Sequence, residues 1–230
     1  MKTFNYYDSP EPHIIIDNFL SPKLAQACLE ECSRLETFYV PAKTRGVAHA
    51  QDGCDACLKE IEYDKQKIRQ NDVVYLDTLY ENKREKSVIL KALHDEVLHP
   101  MFLKSITNKG FFHILNSTNY SETILSRYGM CDFYGYHTDR SLGTNSRLVT
   151  LCYYLNNEPE QFEGGELILA GNNLSDTLKI QPKHNRAVIF QSDTTWHAVE
   201  TVKLLGNKFE DGRFSINFWL SINEGSYKYQ

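Results

Sequence analysis

Three side chains with metal-binding chemistry stand out in the second half of this 230-residue chain: His137, Asp139 and His197. His137, Thr138 and Asp139 form an HxD. In an extended strand residues i and i+2 share a face, so the imidazole and the carboxylate can aim at one point while Thr138 turns away. His197 lies in a later short β run, Thr194 to Val202. Two His and one carboxylate make a facial triad that leaves three positions of an octahedral metal open, which suits an iron(II) that activates O₂. Taken alone, an HxD equally describes a surface His beside a solvated Asp, and a single later His is more often packed or exposed than ligating.

A second pattern adds weight. Arg213 to Trp219 alternates strictly, with Arg213, Ser215, Asn217 and Trp219 on one face and Phe214, Ile216 and Phe218 on the other. The aromatic and aliphatic set would pack under helices. A buried Arg is costly unless paired, and its planar fork matches a carboxylate in bidentate fashion. Ser215 beside it can add a hydroxyl donor. The pattern therefore describes a socket for a ligand carboxylate, or else an edge-strand Arg in water.

These residues need strands to hold them, and from about Phe111 the chain supplies them. Short β segments alternate with turn residues at 111–115, 122–128, 133–139, 147–155, 165–170, 178–181, 186–191, 196–202 and 212–222. So many short, evenly spaced strands suggest a sandwich or jelly roll. Before them, His13 to Leu20 reads as a short strand. Ser21-Pro22 reads as an N-cap with Pro in the first helical position, opening a helix to about Thr37. Val73 to Leu76 reads as a strand. Glu81 to Ile106 has a helical pattern with Val88, Leu93, Val97, Leu98, Met101 and Phe102 on its core face, and Pro100 kinks or divides it. The expectation is one mainly β domain over 1–230, with bracing helices in a support region over 1–110 and a double-sheet core over 111–224.

Composition narrows the function classes. With 41% hydrophobic residues the chain can bury a sizeable core. The net charge of −5 and the lack of a basic run argue against nucleic acid as partner. No stretch approaches the roughly 18 apolar residues that a membrane span needs. The polar N-terminal stretch has no apolar core of a secretory signal, so a cytoplasmic location is expected. The six Cys are then expected to be reduced thiols.

At this point the chain resembles the iron(II)- and 2-oxoglutarate-dependent oxygenases of the prolyl 4-hydroxylase type. The resemblance rests on Tyr128 to Asp139, Arg147 to Asn156, Gly164 to Leu167, Trp196 to Val199 and Gly212 to Ser215, which occur in that family's order. It covers roughly residues 120 to 222, and Gln70 to Asp77 also looks similar. It implies a double-stranded β-helix, or jelly roll, with iron on His137, Asp139 and His197. It implies 2-oxoglutarate held by Arg213 and Ser215, with Tyr128, Tyr154 and Thr150 in the same pocket and Leu167 as an apolar wall. Trp219, Asn217 and Arg147 would line the substrate pocket. Iron(II), 2-oxoglutarate and O₂ would give succinate, CO₂ and hydroxylation of an unactivated C–H, with ascorbate as an accessory reductant. A carboxylate at position 139 argues for hydroxylation, because related halogenases carry a small residue there.

The implied substrate is a prolyl or other side chain in a peptide or protein, with a free amino acid or other small molecule as the rival. A non-catalytic β-sandwich binding module is the distant alternative, and the oligomeric state is open. The spacing from His197 to Arg213 departs from the family's pattern. Residues 203–211 look like an inserted hairpin loop, which leaves Lys203 and Lys208 as weaker substitutes for Arg213. Residues 41–60 are a candidate lid, and Cys54 and Cys57 with His49 nearby form half a zinc site or a redox pair.

Overall fold

The computed structural model describes residues 2–43, 68–107, 109–139, 147–172 and 174–222. In chain order the first elements are β1 (Thr3–Tyr7), β2 (His13–Asp17), α1 (Pro22–Arg34), β3 (Val40–Pro41), β4 (Arg69–Gln70), β5 (Asp72–Tyr75), α2 (Leu76–Leu79), α3 (Val88–Val97) and α4 (Pro100–Thr107). There follow β6 (Tyr120–Tyr128), β7 (Phe133–His137), β8 (Arg147–Leu155), β9 (Phe162–Gly164), β10 (Leu167–Ala170), β11 (Thr177–Ile180), β12 (Arg186–Gln191), β13 (Trp196–Val199), β14 (Val202–Leu204) and β15 (Arg213–Ser221).

Antiparallel pairing builds an eight-stranded sheet in the order β1-β2-β12-β8-β15-β6-β5-β3, and a five-stranded sheet in the order β11-β10-β13-β7-β4. β14 and β9 form a separate ribbon. Alternation assigns the faces of the large sheet. Tyr153, Leu155, Phe214, Ile216, Phe218 and Leu220 join one core cluster with Cys28, Cys32, Leu90, Leu93 and Phe102 of the helices. On the opposite face, Cys152, Tyr154, Val188 and Phe190 meet Leu167 and Leu169 of the small sheet. Two sheets facing each other over such a core are the expected jelly roll.

The helices are fastened by polar groups as well as by packing. Ser21 caps α1, its side chain accepting from the Leu24 amide, and Pro22 follows in the first turn. The buried Glu31 accepts from the Tyr80 hydroxyl at 2.8 Å and from the Ile89 amide at 2.9 Å, which ties α1 to the start of α3. Ser87 caps the same end of α3 by accepting from the Leu90 amide at 3.1 Å.

Several sequence expectations are corrected. The segment 111–115 is not a strand but part of a 3-10 helix, Gly110–Ser117. The long helical pattern is divided into a 3-10 turn, Arg84–Lys86, then α3 and α4, with Pro100 opening the last. Met101 is 69% exposed rather than on the core face, because the new helix turns it outward. The strand expected over 196–202 is split between β13 of the small sheet and β14 of the ribbon, and the one over 165–170 is preceded by β9. β7 ends at His137, so Asp139 lies just beyond the strand. Four strands of the large sheet, β1, β2, β3 and β5, come from the expected support region. Cys28, Cys32 and Cys152 are free, but Cys131 is disulfide-bonded, against the expectation of reduced thiols. Most of the candidate lid, together with Cys54, Cys57 and His49, lies outside the described residues.

Candidate active site

β7 and β13 are neighbours in the small sheet, and their register pairs His137 directly with His197. The two imidazole rings stand 4.1 Å apart. Asp139 reaches them because its amide donates to the carbonyl of Ser192, just past β12, at 2.9 Å. One carboxylate oxygen then lies 3.8 Å from His137 Nε2 and the other 3.5 Å from His197 Nε2. The three ligand atoms all lie within 4.8 Å of one another. Among the described residues this is the one cluster of three metal-ligating side chains.

The protonation states suit a cation. His137 Nδ1 faces the Gly135 carbonyl at 2.9 Å, and His197 Nδ1 faces the Thr195 carbonyl at 3.1 Å. A carbonyl only accepts, so each Nδ1 carries a proton and each Nε2 is turned towards the cluster. Burial, reinforced by the neighbouring His197, pushes the His137 imidazole down to about 3. Burial alone would raise the Asp139 carboxyl, but His197 and His137 overcome it and hold the group at about 2. A neutral His137 imidazole and an ionised Asp139 carboxylate are forms that bind metal. The donor set, two nitrogens and one oxygen, fits iron(II).

Hydrogen bonds and rings brace the triad. The Thr150 hydroxyl donates to Asp139 at 2.6 Å and lies 2.8 Å from the Ser192 hydroxyl. Phe190 packs 4.8 Å from the His197 ring, and Tyr134 stacks on His137.

On the neighbouring strands of the large sheet, Arg213 is 1% exposed. Its guanidinium lies between two tyrosine rings, 4.9 Å from that of Tyr128 and 5.0 Å from that of Tyr154. Nε donates to the Gly165 carbonyl at 2.6 Å and Nη1 to the Ser215 hydroxyl at 3.2 Å. No carboxylate among the described residues pairs with this buried cation. The buried Ser126 hydroxyl makes no hydrogen bond among the described residues, and the Tyr154 hydroxyl has no better neighbour than the Cys152 thiol. A buried cation ringed by unsatisfied hydroxyls fits a small carboxylate ligand such as 2-oxoglutarate. Leu167 is buried against Tyr154 in the same interior. Lys203 is half exposed and pairs with Glu163, and Lys208 is exposed, so neither replaces Arg213. The long connection before Arg213 folds as β14 and a 3-10 turn, Phe209–Asp211, and returns Arg213 to register opposite Tyr128.

Arg147, Trp219 and Asn217 lie on the same face of the large sheet. The Arg147 guanidinium stacks 3.6 Å from the centre of the Trp219 ring, and its Nε donates to Glu122 at 2.9 Å. The buried Trp219 Nε1 has no hydrogen-bond partner among the described residues. Across one row of this face, exposure grows from buried Cys152 through half-buried Asn217 and Ile124 to Tyr75, which is 44% exposed. This face is therefore most exposed on the β5–β6 side.

Sequence reasoning missed Ser192, Ser126, Tyr134 and Arg69. It quoted Gly164 and Gly165 without giving them a task. Gly165 has φ +70°, and a Cβ there would meet the Arg213 side chain at 2.7 Å, so this glycine makes room for the buried guanidinium.

Comparison with known proteins agrees with this geometry. The family model for the 2OG-Fe(II) oxygenase superfamily matches residues 123–221. An uncharacterised PKHD-type hydroxylase of Synechocystis sp. is 34% identical over 96 residues, which are 38% of this chain and 32% of that protein. The match thus spans about a third of that relative's length. A prolyl-4-hydroxylase of Pseudomonas putida has the same fold, with a TM-score of 0.57 and 19% identity, over 92% of either chain. So does a Trichoplax adhaerens prolyl hydroxylase solved with a hypoxia inducible factor peptide, with a TM-score of 0.58 and 20% identity over 91% of this chain and 83% of that one. Over residues 123–221 the chain is thus similar to the 2OG-Fe(II) oxygenase superfamily, and it shares the fold of the two prolyl hydroxylases.

Proposed function

We propose that this protein is an iron(II)- and 2-oxoglutarate-dependent dioxygenase that hydroxylates an unactivated C–H of a prolyl or other side chain in a peptide or protein. The observation that carries the reading is the convergence of His137, Asp139 and His197 beside a buried Arg213 that has no carboxylate partner among the described residues. When bound, iron and 2-oxoglutarate supply an oxidant derived from O₂, with release of succinate and CO₂. The chain's own residues do the rest. His137, Asp139 and His197 hold the metal. Arg213 offers the free part of its fork to the distal carboxylate of 2-oxoglutarate, with Ser215, Tyr128 and Tyr154 around it and Leu167 as a wall. Thr150 steadies Asp139.

Arg147, Trp219 and Asn217 form the substrate side of the pocket. A flat indole with an unused N–H, beside a fixed guanidinium, suits an apolar ring next to a peptide carbonyl. The exposure of this face towards Ile124 and Tyr75 would admit chain on either side of a target residue. The Trichoplax neighbour, solved in complex with a peptide fragment, supports the same class of substrate by analogy of fold. No described helix is long and apolar enough to cross a membrane. Ascorbate as accessory reductant and a cytoplasmic setting complete the proposal, and both rest on sequence alone.

The test is succinate formation by the purified protein with iron(II), 2-oxoglutarate and O₂, beside His137→Ala. Metal-dependent succinate that is lost in the variant is expected, and peptides are then compared with free amino acids as substrates. If the protein makes no succinate and binds neither iron(II) nor 2-oxoglutarate under anaerobic conditions, the reading is wrong.

A further inference from the structure

We propose that Ser192 is a positioning residue for the metal site, acting through Thr150 on the Asp139 carboxylate; this rests on the reading of the triad as an iron site. Neither the HxD motif nor the strand pattern marks Ser192. It follows the last residue of β12 and is fully buried, as is Thr150.

The direction of the hydrogen bonds follows from counting protons. A carboxylate that ligates a metal can only accept, and the Thr150 hydroxyl is its donor. Thr150 has one hydroxyl proton, and the 2.6 Å contact places it on Asp139. The Thr150 oxygen must then accept across its 2.8 Å contact with Ser192, so the Ser192 proton points at Thr150. The chain runs Ser192 to Thr150 to Asp139. It is buried throughout, where each bond polarises the next. Ser192 also grips Asp139 by a second route, because its carbonyl accepts the Asp139 amide at 2.9 Å. One residue thus fixes both the backbone of the carboxylate ligand and, through one intermediary, the carboxylate itself. Asp139 needs this because it lies beyond the end of β7, without a strand ladder of its own. Ser192 is itself anchored, its amide donating to the Leu148 carbonyl at 3.0 Å.

The test is a titration of apo-protein with Mn(II), which binds such ligands without turnover. Wild type, Ser192→Ala, Thr150→Val, Thr150→Ser and the Ser192→Ala/Thr150→Val pair are compared, with His137→Ala to show that the titration reports the triad. Partners outside the ligand shell commonly account for about 10- to 100-fold in metal affinity, so Thr150→Val is expected to weaken Mn(II) about tenfold or more. Ser192→Ala, one bond further out, is expected to weaken it about three- to tenfold, and Thr150→Ser to stay within about twofold of wild type. Once Thr150→Val has broken the chain, adding Ser192→Ala should weaken binding by less than about twofold more. Thermal melts of each variant separate positioning from packing.

If Ser192→Ala lowers the melting temperature but leaves Mn(II) affinity within about twofold, Ser192 only packs and the proposal fails. It fails equally if the two losses multiply in the double variant. If wild type itself does not bind Mn(II), the iron reading falls first, and this proposal with it.

Discussion

Tyr134 lies flat against His137, with ring centres 3.6 Å apart and planes 17° apart. The guanidinium of Arg69, 4.4 Å from the centre of the Tyr134 ring, covers the other face, since His137 occupies the first. Arg69 is held in turn by its Nε bond to Asn71 at 2.6 Å. The His137 imidazole is therefore clamped by a stack that begins on β4 and crosses to β7, whose strands pair through Arg69 and Tyr134.

The stack predicts a specific loss. Tyr134→Ala frees the His137 ring to tilt and should weaken Mn(II) binding by about three- to tenfold, below what loss of a hydrogen-bonded partner of a ligand costs. Tyr134→Phe keeps the ring and should bind like wild type. Calorimetric titration of both variants decides the matter, and equal affinity for Ala and Phe would show that the stack does not orient the ligand.

A separate prediction concerns cosubstrate. Arg213 uses Nε on Gly165 and Nη1 on Ser215, and a lysine has no planar fork to reproduce this while also meeting a carboxylate. Arg213→Lys should raise the 2-oxoglutarate concentration needed for half-maximal succinate formation by at least about tenfold, the scale of one lost charge-assisted bond. Mn(II) affinity should be unchanged. A parallel loss of metal affinity would mean that Arg213 supports the whole interior.

The third prediction concerns acidity. Burial raises the Asp77 carboxyl from its ordinary 3.8 to about 6, although the Thr123 amide that it accepts pulls the other way. A carboxyl raised on folding holds its proton longer in the native state. Its contribution is therefore most favourable below about pH 4 and is lost as pH rises from about 4 to about 6. Asp132, likewise raised to about 6 by burial, acts in the same sense. Asp77→Asn keeps an acceptor for Thr123 and should flatten part of this slope. Urea unfolding of both proteins across pH 4 to about 7 measures it, and parallel curves would dismiss the effect.

That Arg213 and Ser215 share one buried face was legible because strand periodicity maps spacing directly onto direction, and the faces of β15 follow its alternation. His137 and Asp139 do come together, but Asp139 lies past the end of β7 and is turned in by its amide bond to Ser192, which no strand period announces. What was not legible depends on register between distant strands. Nothing near Ser192 in sequence announces Thr150, and Arg69 and Tyr134 meet only because β4 pairs with β7. Phe112 and Leu115 read as strand residues because they are apolar, and either a strand or a 3-10 turn can bury them. Met101 was misread because Pro100 restarts the helix and so resets its phase.

His137 and His197 both send their Nδ1 proton to a carbonyl two residues back on their own chain, Gly135 for one and Thr195 for the other. The acceptor in each bond is main chain. The choice of tautomer is thus written into the main chain and insulated from sequence drift around it. Change at positions 135 and 195 can alter packing, but as long as the strands keep their path, both rings go on offering the same nitrogen.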